Sequence, residues 1–407
     1  MNEPIVEITR RGAERLQKGH LWIYRSDVAK APGAKAGDVV AVVDGRRRFL
    51  AKAFWSAASQ IALRIVTRDE EAVDEPFLAA RLASAAGLRQ RAFPGETAWR
   101  MVHGEADLLP GLVVDRYGEV LVMQTLVPAT EQRKDLLADL LVSAHGAATV
   151  VERNDVRVRE LEGLAQVKGV LRGAAPGVTE YREGEVRLRI DVLEGQKTGA
   201  FLDQRENHVR AGEYAAGRCL DCFSYAGGFA LQLARRATEV TAVEMQPTAA
   251  GLLRANAALN ATTNLEIVEQ NAFDYLRDRS EEAPAWDMIV LDPPAFAKNK
   301  ESLAGARRGY KEINLRALRL ASPGGLMSHQ ISSGLSEPGQ IHGATSAASP
   351  APHPGSVVHG RPVASSAMSP ARGMPEFTPI RCPMSAIRCA ASSSRPKGWS
   401  LVSVVFS

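Results

Sequence analysis

Two patterns of apolar and polar positions divide the chain. From about residue 186 to Ala321, short apolar runs alternate with stretches of helical period. Val240-Thr241-Ala242-Val243 and Ile289-Val290-Leu291 are nearly continuous, as parallel strands buried on both faces must be. Val186 to Val192 alternates instead, the mark of a half-buried strand. Repeated βα units of this kind predict a parallel, doubly wound sheet. The N-terminal part reads differently. Val39-Val40-Ala41-Val42-Val43 runs into Asp44-Gly45, a hairpin signal, and Phe49 to Trp55 and Ile61 to Val66 supply further strands. Residues 1–70 are therefore expected to form a small all-β unit. An acidic linker, Glu70 to Pro76, leads to a helix over Phe77 to Arg91. A second, α+β unit occupies 77–185. It holds a turn and strand across Gly104 to Gly118, a strand through Val127, a helix over Thr130 to Ala144 with Thr130 as N-cap, and a short strand at Thr149-Val150-Val151. The α/β domain spans 186–338. After Glu337-Pro338 the chain is rich in Ser, Ala, Pro, Gly and Arg, without a sustained period. Residues 339–407 read as a low-complexity, disordered tail in which only Trp399 to Phe406 could make a strand.

Charge and cysteine content narrow the classes. The net charge is +4, but Gly339 to Ser407 holds six Lys or Arg and one acid, Glu376, which leaves residues 1–338 with 44 basic and 45 acidic residues. Local clusters therefore matter more than the sum. In the N-terminal unit Arg10, Arg11, Arg15, Lys18, His20, Trp22 and Tyr24, then Arg46, Arg47, Arg48, Lys52 and Trp55, interleave cations with rings. Such a surface suits RNA, and equally a solvated hairpin with core aromatics. No apolar run reaches the roughly 18 residues of a membrane span, and no secretory pattern opens the chain. Four cysteines in 407 residues suggest a reducing, cytoplasmic setting. Cys219 and Cys222 form C-x-x-C. Three apart on a strand, their side chains point to opposite faces, so they read as small core residues and no metal is expected.

The chemistry concentrates between Cys219 and Phe296. Leu220-Asp221-Cys222-Phe223-Ser224-Tyr225-Ala226-Gly227-Gly228-Phe229 is followed by Val243-Glu244, Asn271-Ala272-Phe273-Asp274 and Leu291-Asp292-Pro293-Pro294-Ala295-Phe296. Each places an acid or a glycine turn at or just after a strand, where an open α/β sheet binds its ligand. Gly227 and Gly228 let backbone approach a ligand closely. Glu244, 23 residues after Asp221, is suited to cap ribose hydroxyls, and Asp274 to accept from an adenine amino group. A nicotinamide site would need G-x-G-x-x-G at the first turn, and Gly227-Gly228-Phe229-Ala230-Leu231-Gln232 does not supply it. The series resembles motifs I to IV of the class I S-adenosylmethionine (SAM) methyltransferases. That resemblance implies a SAM pocket of Gln204, Arg205, Asp221, Tyr225, Gly227, Gly228, Glu244, Asp274 and Asp292, with Asp292 also near the reacting methyl group and Pro293-Pro294 a wall beside the target base.

Residues 1 to about 338 resemble the bacterial three-domain large-subunit rRNA cytosine-C5 methyltransferases. The resemblance rests on Gly19-His20-Leu21-Trp22-Ile23-Tyr24, Asp107-Leu108-Leu109-Pro110-Gly111-Leu112-Val113-Val114-Asp115, Lys197-Thr198-Gly199 through Asp203-Gln204-Arg205, the SAM motifs, and Gly309-Tyr310-Lys311-Glu312-Ile313-Asn314. It implies a PUA-like RNA-binding β-barrel, a central α+β domain, a Rossmann-like methyltransferase domain, SAM as cofactor and 23S rRNA as partner. The family adds a cysteine thiolate to cytosine C6 so that C5 can take the methyl group. Here Ser332 occupies the cysteine position, and His329-Gln330 stands in what should be an apolar strand. The tail supplies no counterpart of the family's last helix and strands, which would leave the sheet edge uncovered. A reading-frame shift would produce this loss of globular composition, and a divergent extension is the rival. Two other functions fit the sequence: an RNA-binding protein whose methyltransferase domain is inactive, and an amino-group methyltransferase, which needs no thiol.

Overall fold

The computed structural model describes residues 3–296 and 303–329, and the backbone of two short strands at 387–389 and 401–404. It divides into two compact units. The first comprises Met1–Arg210 with the segments Ala226–Gln232 and Gly251–Thr263. The second comprises Ala211–Tyr225, Leu233–Ala250 and Asn264–Ser407.

The first unit opens with a six-stranded sheet in the order Trp22–Tyr24, Ile61–Thr67, Phe49–Trp55, Val39–Val43, Ile5–Ile8, Val28–Lys30. Its inward residues, among them Val6, Ile23, Val42, Leu63 and Ile65, form the core. The three expected strands are all present. The hairpin turn is not the two-residue Asp-Gly type. The reversal runs over residues 44–48, where the Asp44 carboxylate accepts from the backbone N–H of Arg46 and Arg48 and from the Arg48 guanidinium. Arg47, at φ 60, takes the left-handed position instead of Gly45. Those same bonds hold the Asp44 carboxyl below its usual pKa, with the Arg48 backbone N–H the main cause.

The central part is a five-stranded sheet, Lys168–Arg172, Thr149–Arg153, Val120–Thr125, Leu112–Tyr117, Ala98–His103. The helix Glu75–Ala92 begins two residues earlier than expected, because Asp74 in the acidic stretch caps it by accepting from Phe77 N–H. Thr130 is not an N-cap. The helix Pro128–Gln132 starts at proline, whose fixed φ suits the first turn, and Thr130 Oγ1 donates back to Gly111 O and Val127 O. A second helix, Lys134–His145, continues the segment. Phe54 and Val66 of the N-terminal sheet pack in one cluster with Phe77, Leu82, Met101, Leu112 and Leu137. The two parts therefore share a core.

The second unit is a seven-stranded sheet. Its strands are β1 (Arg218–Cys222), β2 (Glu239–Glu244), β3 (Leu265–Glu269), β4 (Trp286–Leu291), β5 (Ala321–His329), β6 (Ile387–Cys389) and β7 (Leu401–Val404). The order is β3-β2-β1-β4-β5-β7-β6, all parallel except β6 against β7. Helices α1 (Gly228–Ala234) and α2 (Pro247–Leu259) follow β1 and β2 in sequence and fall largely in the first unit, while α3 (Ala272–Asp278) and α4 (Leu303–Leu320) connect strands within the second. Leu220, Cys222, Ile289, Leu291 and Met327 present one sheet face to Tyr275 of α3 and to Tyr310, Ile313 and Ala317 of α4. This is the doubly wound α/β architecture expected. Of the tail, the described residues are β6 and β7. β7 lies within the stretch singled out as able to form a strand, and pairs the edge of β5 that was expected to be bare. The remaining tail positions lie outside the described residues.

Candidate functional site

The strand order turns back at β1, which has β2 on one side and β4 on the other. In a doubly wound sheet the crevice beyond that point is where ligands bind. The loop from Phe223 leaves β1 there. Phe223 and Ser224 donate their N–H groups to Val243 O at 3.0 and 3.1 Å. Tyr225 N–H reaches Glu244 Oε2 at 2.8 Å, and Gln246 N–H reaches Oε1 at 2.7 Å. Ser224 Oγ closes back on Asp221 O. Phe223 and Tyr225 are both left-handed, at φ 70 and 47. Each costs about 1–2 kcal/mol for a residue with a Cβ. Backbone held in this way by surrounding bonds is a mark of functional loops.

Glu244 is therefore the organiser of the loop as well as its acid. It is buried at the end of β2, and each carboxylate oxygen keeps a second lone pair for a hydroxyl donor. Asp292 follows β4 and donates its backbone N–H to Cys222 O at 3.3 Å, so the ends of β1 and β4 are tied. Asp221 is fully buried inside β1, beneath the loop. Asp274 stands in the first turn of α3, half-exposed, with an ion pair to Arg277 at 2.6 Å. Asn271 is the residue that reaches back toward β2. It caps α3 by accepting from Phe273 N–H, and its Nδ2 lies 3.5 Å from Met245 Sδ. Met245 follows Glu244 and is 54% exposed, an apolar ledge at the crevice.

Four residues of the expected pocket belong to the first unit. Gly227, at φ 95, turns the chain into α1. A Cβ there would come 2.2 Å from Leu253 Cδ1, and one at Gly228 would come 2.4 Å from the His208 ring. Packing inside the protein thus already demands both glycines. Gln204 accepts from Asn207 Nδ2. Arg205 is buried, donates to Ala98 O at 3.0 Å and lies over the Phe93 ring at 3.9 Å. Nearby, the Lys197-Thr198-Gly199 turn is anchored by Thr198, which donates to Asp115 Oδ2 at 2.6 Å while Tyr117 Oη holds Ala200 N–H. Lys197 is left-handed there, at φ 52.

The sequence motifs did not disclose an aromatic row beyond β4 and β5. Phe223 meets Phe273, Phe273 meets Phe296, Phe296 meets Tyr310 at 4.4 Å, and Tyr310 meets His329 at 5.9 Å. His329 Nδ1 donates to Asn314 Oδ1 at 2.7 Å, and Asn314 Nδ2 donates to Tyr310 O. Burial pulls the imidazole down to about 4, so it is neutral near pH 7. Its Nε2 is a buried acceptor with no hydrogen bond among the described residues. The signal in sequence was a polar residue in an apolar strand. Cys219 and Cys222 are free and buried, and burial pushes Cys219 up to about 11 and Cys222 well above the usual thiol range. Neither is an ionised nucleophile. Ser332, placed at the family's cysteine position, lies outside the described residues.

A family profile for a PUA-like domain matches residues 6–68, and one for S-adenosylmethionine-dependent methyltransferases matches residues 165–375, just over half of the chain. The chain belongs to the S-adenosylmethionine-dependent methyltransferase family. Curated relatives named "Ribosomal RNA large subunit methyltransferase I" include one from Aeromonas hydrophila, 39% identical over 340 residues, covering 80% of this chain and 85% of the relative. Another, from Tolumonas auensis, is 40% identical over 331 residues, covering 79% and 83%. Among solved structures, a methyltransferase complexed with SAH has a TM-score of 0.66 at 21% identity, covering 79% of this chain and 84% of that one. A SAM-dependent methyltransferase from Streptococcus mutans has a TM-score of 0.65 at 20% identity over the same shares. These two establish the fold. The cofactor of the family is SAM, and the second unit fits it. The Glu244 carboxylate suits ribose hydroxyls, Met245 offers an apolar surface, and Asn271 offers an amide beside it. Among the described residues no helix is long and apolar enough to cross a membrane, and no group of three His, Cys, Asp or Glu could hold a metal.

Proposed function

We propose that the protein is a SAM-dependent methyltransferase of large-subunit ribosomal RNA, of the cytosine-C5 type, and that the chain as given is defective in the chemical step. The observation that carries the rRNA reading is the 39–40% identity, across four-fifths of the chain, to relatives named for that activity. The PUA-like match at residues 6–68 supports an RNA partner. Bound SAM supplies an electrophilic methyl group. Glu244, the Phe223 to Tyr225 loop, Met245 and Asn271 are the residues of the second unit that would hold it. Asp292 and Pro293-Pro294, at the end of β4, would border the target base.

The C5 assignment rests on the resemblance in motifs. C5 of cytosine becomes nucleophilic only after addition to C6, and a serine hydroxyl at position 332 is not ionised near neutral pH as a thiolate is. Cys219 and Cys222 do not replace it, since burial holds both thiols in the neutral form. The reading that the protein binds RNA without methylating it is favoured by the same serine. Transfer of labelled methyl from SAM to 23S rRNA fragments, followed by nucleoside analysis, tests the proposal. Label in 5-methylcytosine from the unaltered chain would refute the defect, and label in a methylated amino group would refute the C5 assignment. A DNA reading in all frames around codons 326 to 345 separates a frame shift from divergence.

A further inference from the structure

The N-terminal unit holds a cleft of about 480 Å³, lined by Arg15, His20, Trp22, Tyr24 and Glu105 among others. Three of its features are built rather than incidental. First, the strand Trp22–Tyr24 alternates, with Ile23 fully buried and Trp22 and Tyr24 exposed by 41% and 39%. Residues two apart on a strand share a face, so two large rings stand side by side in solvent. Second, Arg15 lies 5.2 Å from the Tyr24 ring centroid while its Nη1 donates to Asp27 Oδ2 at 3.0 Å, which fixes a cation beside the rings. Third, one lining residue comes from the central α+β part. Glu105 Oε1 accepts from Trp22 Nε1 at 2.8 Å and lies 3.6 Å from Arg64 Nε. Arg64 is itself held by Glu162 at 2.6 Å. Glu105 Oε2 makes no hydrogen bond among the described residues, so a rigidly placed carboxylate keeps an open acceptor.

We infer that this cleft seats one unstacked nucleobase of single-stranded RNA, and that Glu105 selects bases carrying an exocyclic amino group. Exposed rings with an adjacent guanidinium are what a splayed base and its phosphate require. The carboxylate accepts hydrogen bonds only, so it favours the amino groups of adenine, cytosine and guanine. Uracil offers a single N–H flanked by two carbonyls, which a carboxylate repels. The inference deepens the rRNA reading and rests on it. It adds a nucleotide contact remote in sequence from the methyltransferase motifs, built jointly by the N-terminal and central parts.

The test uses the full chain and decanucleotides made only of A, only of C or only of U. Binding is followed by anisotropy, and SAM affinity by calorimetry in the same preparations reports folding. The A and C strands should bind about tenfold tighter than U, the discrimination of one hydrogen bond to a charged group. Trp22→Ala should weaken A and C about tenfold through lost stacking. Trp22→Phe should retain most of the affinity. Glu105→Gln, which keeps an acceptor and adds a donor, should bring U close to A and C. Equal binding of U and C by the unaltered chain, or unchanged binding after Trp22→Ala, overturns the inference. If that happens while a 23S rRNA fragment still binds with steep salt dependence, the cleft fails and the rRNA reading stands. If no RNA binds at all, both fail. Adenosine monophosphate binding as tightly as the A strand would make this a small-nucleotide site and would also overturn it.

Discussion

The carboxylate of Glu244 receives the backbone N–H of Tyr225 at 2.8 Å, and Tyr225 is one of two left-handed, non-glycine residues in the loop after β1. One side chain thus fixes the loop shape and is also the acid we propose for the ribose. Glu244→Ala should lower SAM affinity by about 1.5–3 kcal/mol, the range for a lost hydrogen bond to a charged group. It should also destabilise the fold, because Tyr225 and Gln246 lose their acceptor. Glu244→Gln keeps an acceptor oxygen and should cost less stability while still weakening SAM. Calorimetric titration and thermal melts of the three proteins separate the two effects. Equal SAM affinity in all three would remove Glu244 from the site.

His329 gives the second unit a defined acid sensitivity. Burial lowers its folded-state value to about 4, below the usual 6.5 for histidine. The unfolded chain therefore binds the extra proton first as pH falls. Stability from the neutral imidazole is complete above about pH 6.5, is lost as pH falls from there, and is exhausted below about 4. The full shift corresponds to the order of 3 kcal/mol. His145, also lowered by burial, adds a similar trend. The comparison that isolates His329 is His329→Gln, melted at pH 7.5 and pH 5. The variant should be less stable at pH 7.5, without the imidazole bond to Asn314, yet should lose less on acidification. A parallel drop in both proteins would assign the acid sensitivity elsewhere.

RNA affinity should depend on the exposed arginines of the 44–48 turn. Arg48 is tied to Asp44 at 2.7 Å, whereas Arg46 and Arg47 have no ion pair among the described residues. Replacing both with Ala should reduce the slope of log affinity against log salt by about 0.7–0.9 for each phosphate no longer neutralised. Removing residues 1–70 outright is a poorer experiment, since Phe54 and Val66 belong to the core shared with the central part. An unchanged salt slope in the double variant would take this turn out of the RNA interface.

The methyltransferase sheet was legible because strands buried on both faces leave continuous apolar runs, with Asp221 and Glu244 near the strand ends and Asp292 just after one. The position of Glu244 at the end of β2 could be read from the sequence. The surroundings of Arg205 could not, because Ala98 and Phe93, which engage it, lie more than a hundred residues away in sequence. Thr130 looked like a cap until Pro128 set the helix start. Asn271 and Asp274 flank one helical turn, and only the fold shows that Asn271 faces Met245 while Asp274 pairs with Arg277. Gly227 and Gly228 were read as leaving room for a ligand, and the fold shows Leu253 and His208 in the space a Cβ would need.

The chain as given should form no appreciable 5-methylcytosine, because the C6 addition needs an ionised thiol and position 332 is serine. An uncovered sheet edge would be a second reason for inactivity. That reason weakens where β7 pairs with β5, so the weight falls on the nucleophile. Bisulfite mapping of rRNA after incubation with SAM should compare the unaltered chain, Ser332→Cys, and a version carrying the tail encoded in the alternative frame. Activity in Ser332→Cys alone would show that the tail is dispensable and favour divergence. Activity only with the alternative tail would point to a damaged gene. Activity in the unaltered chain would show that the nucleophile is not at 332.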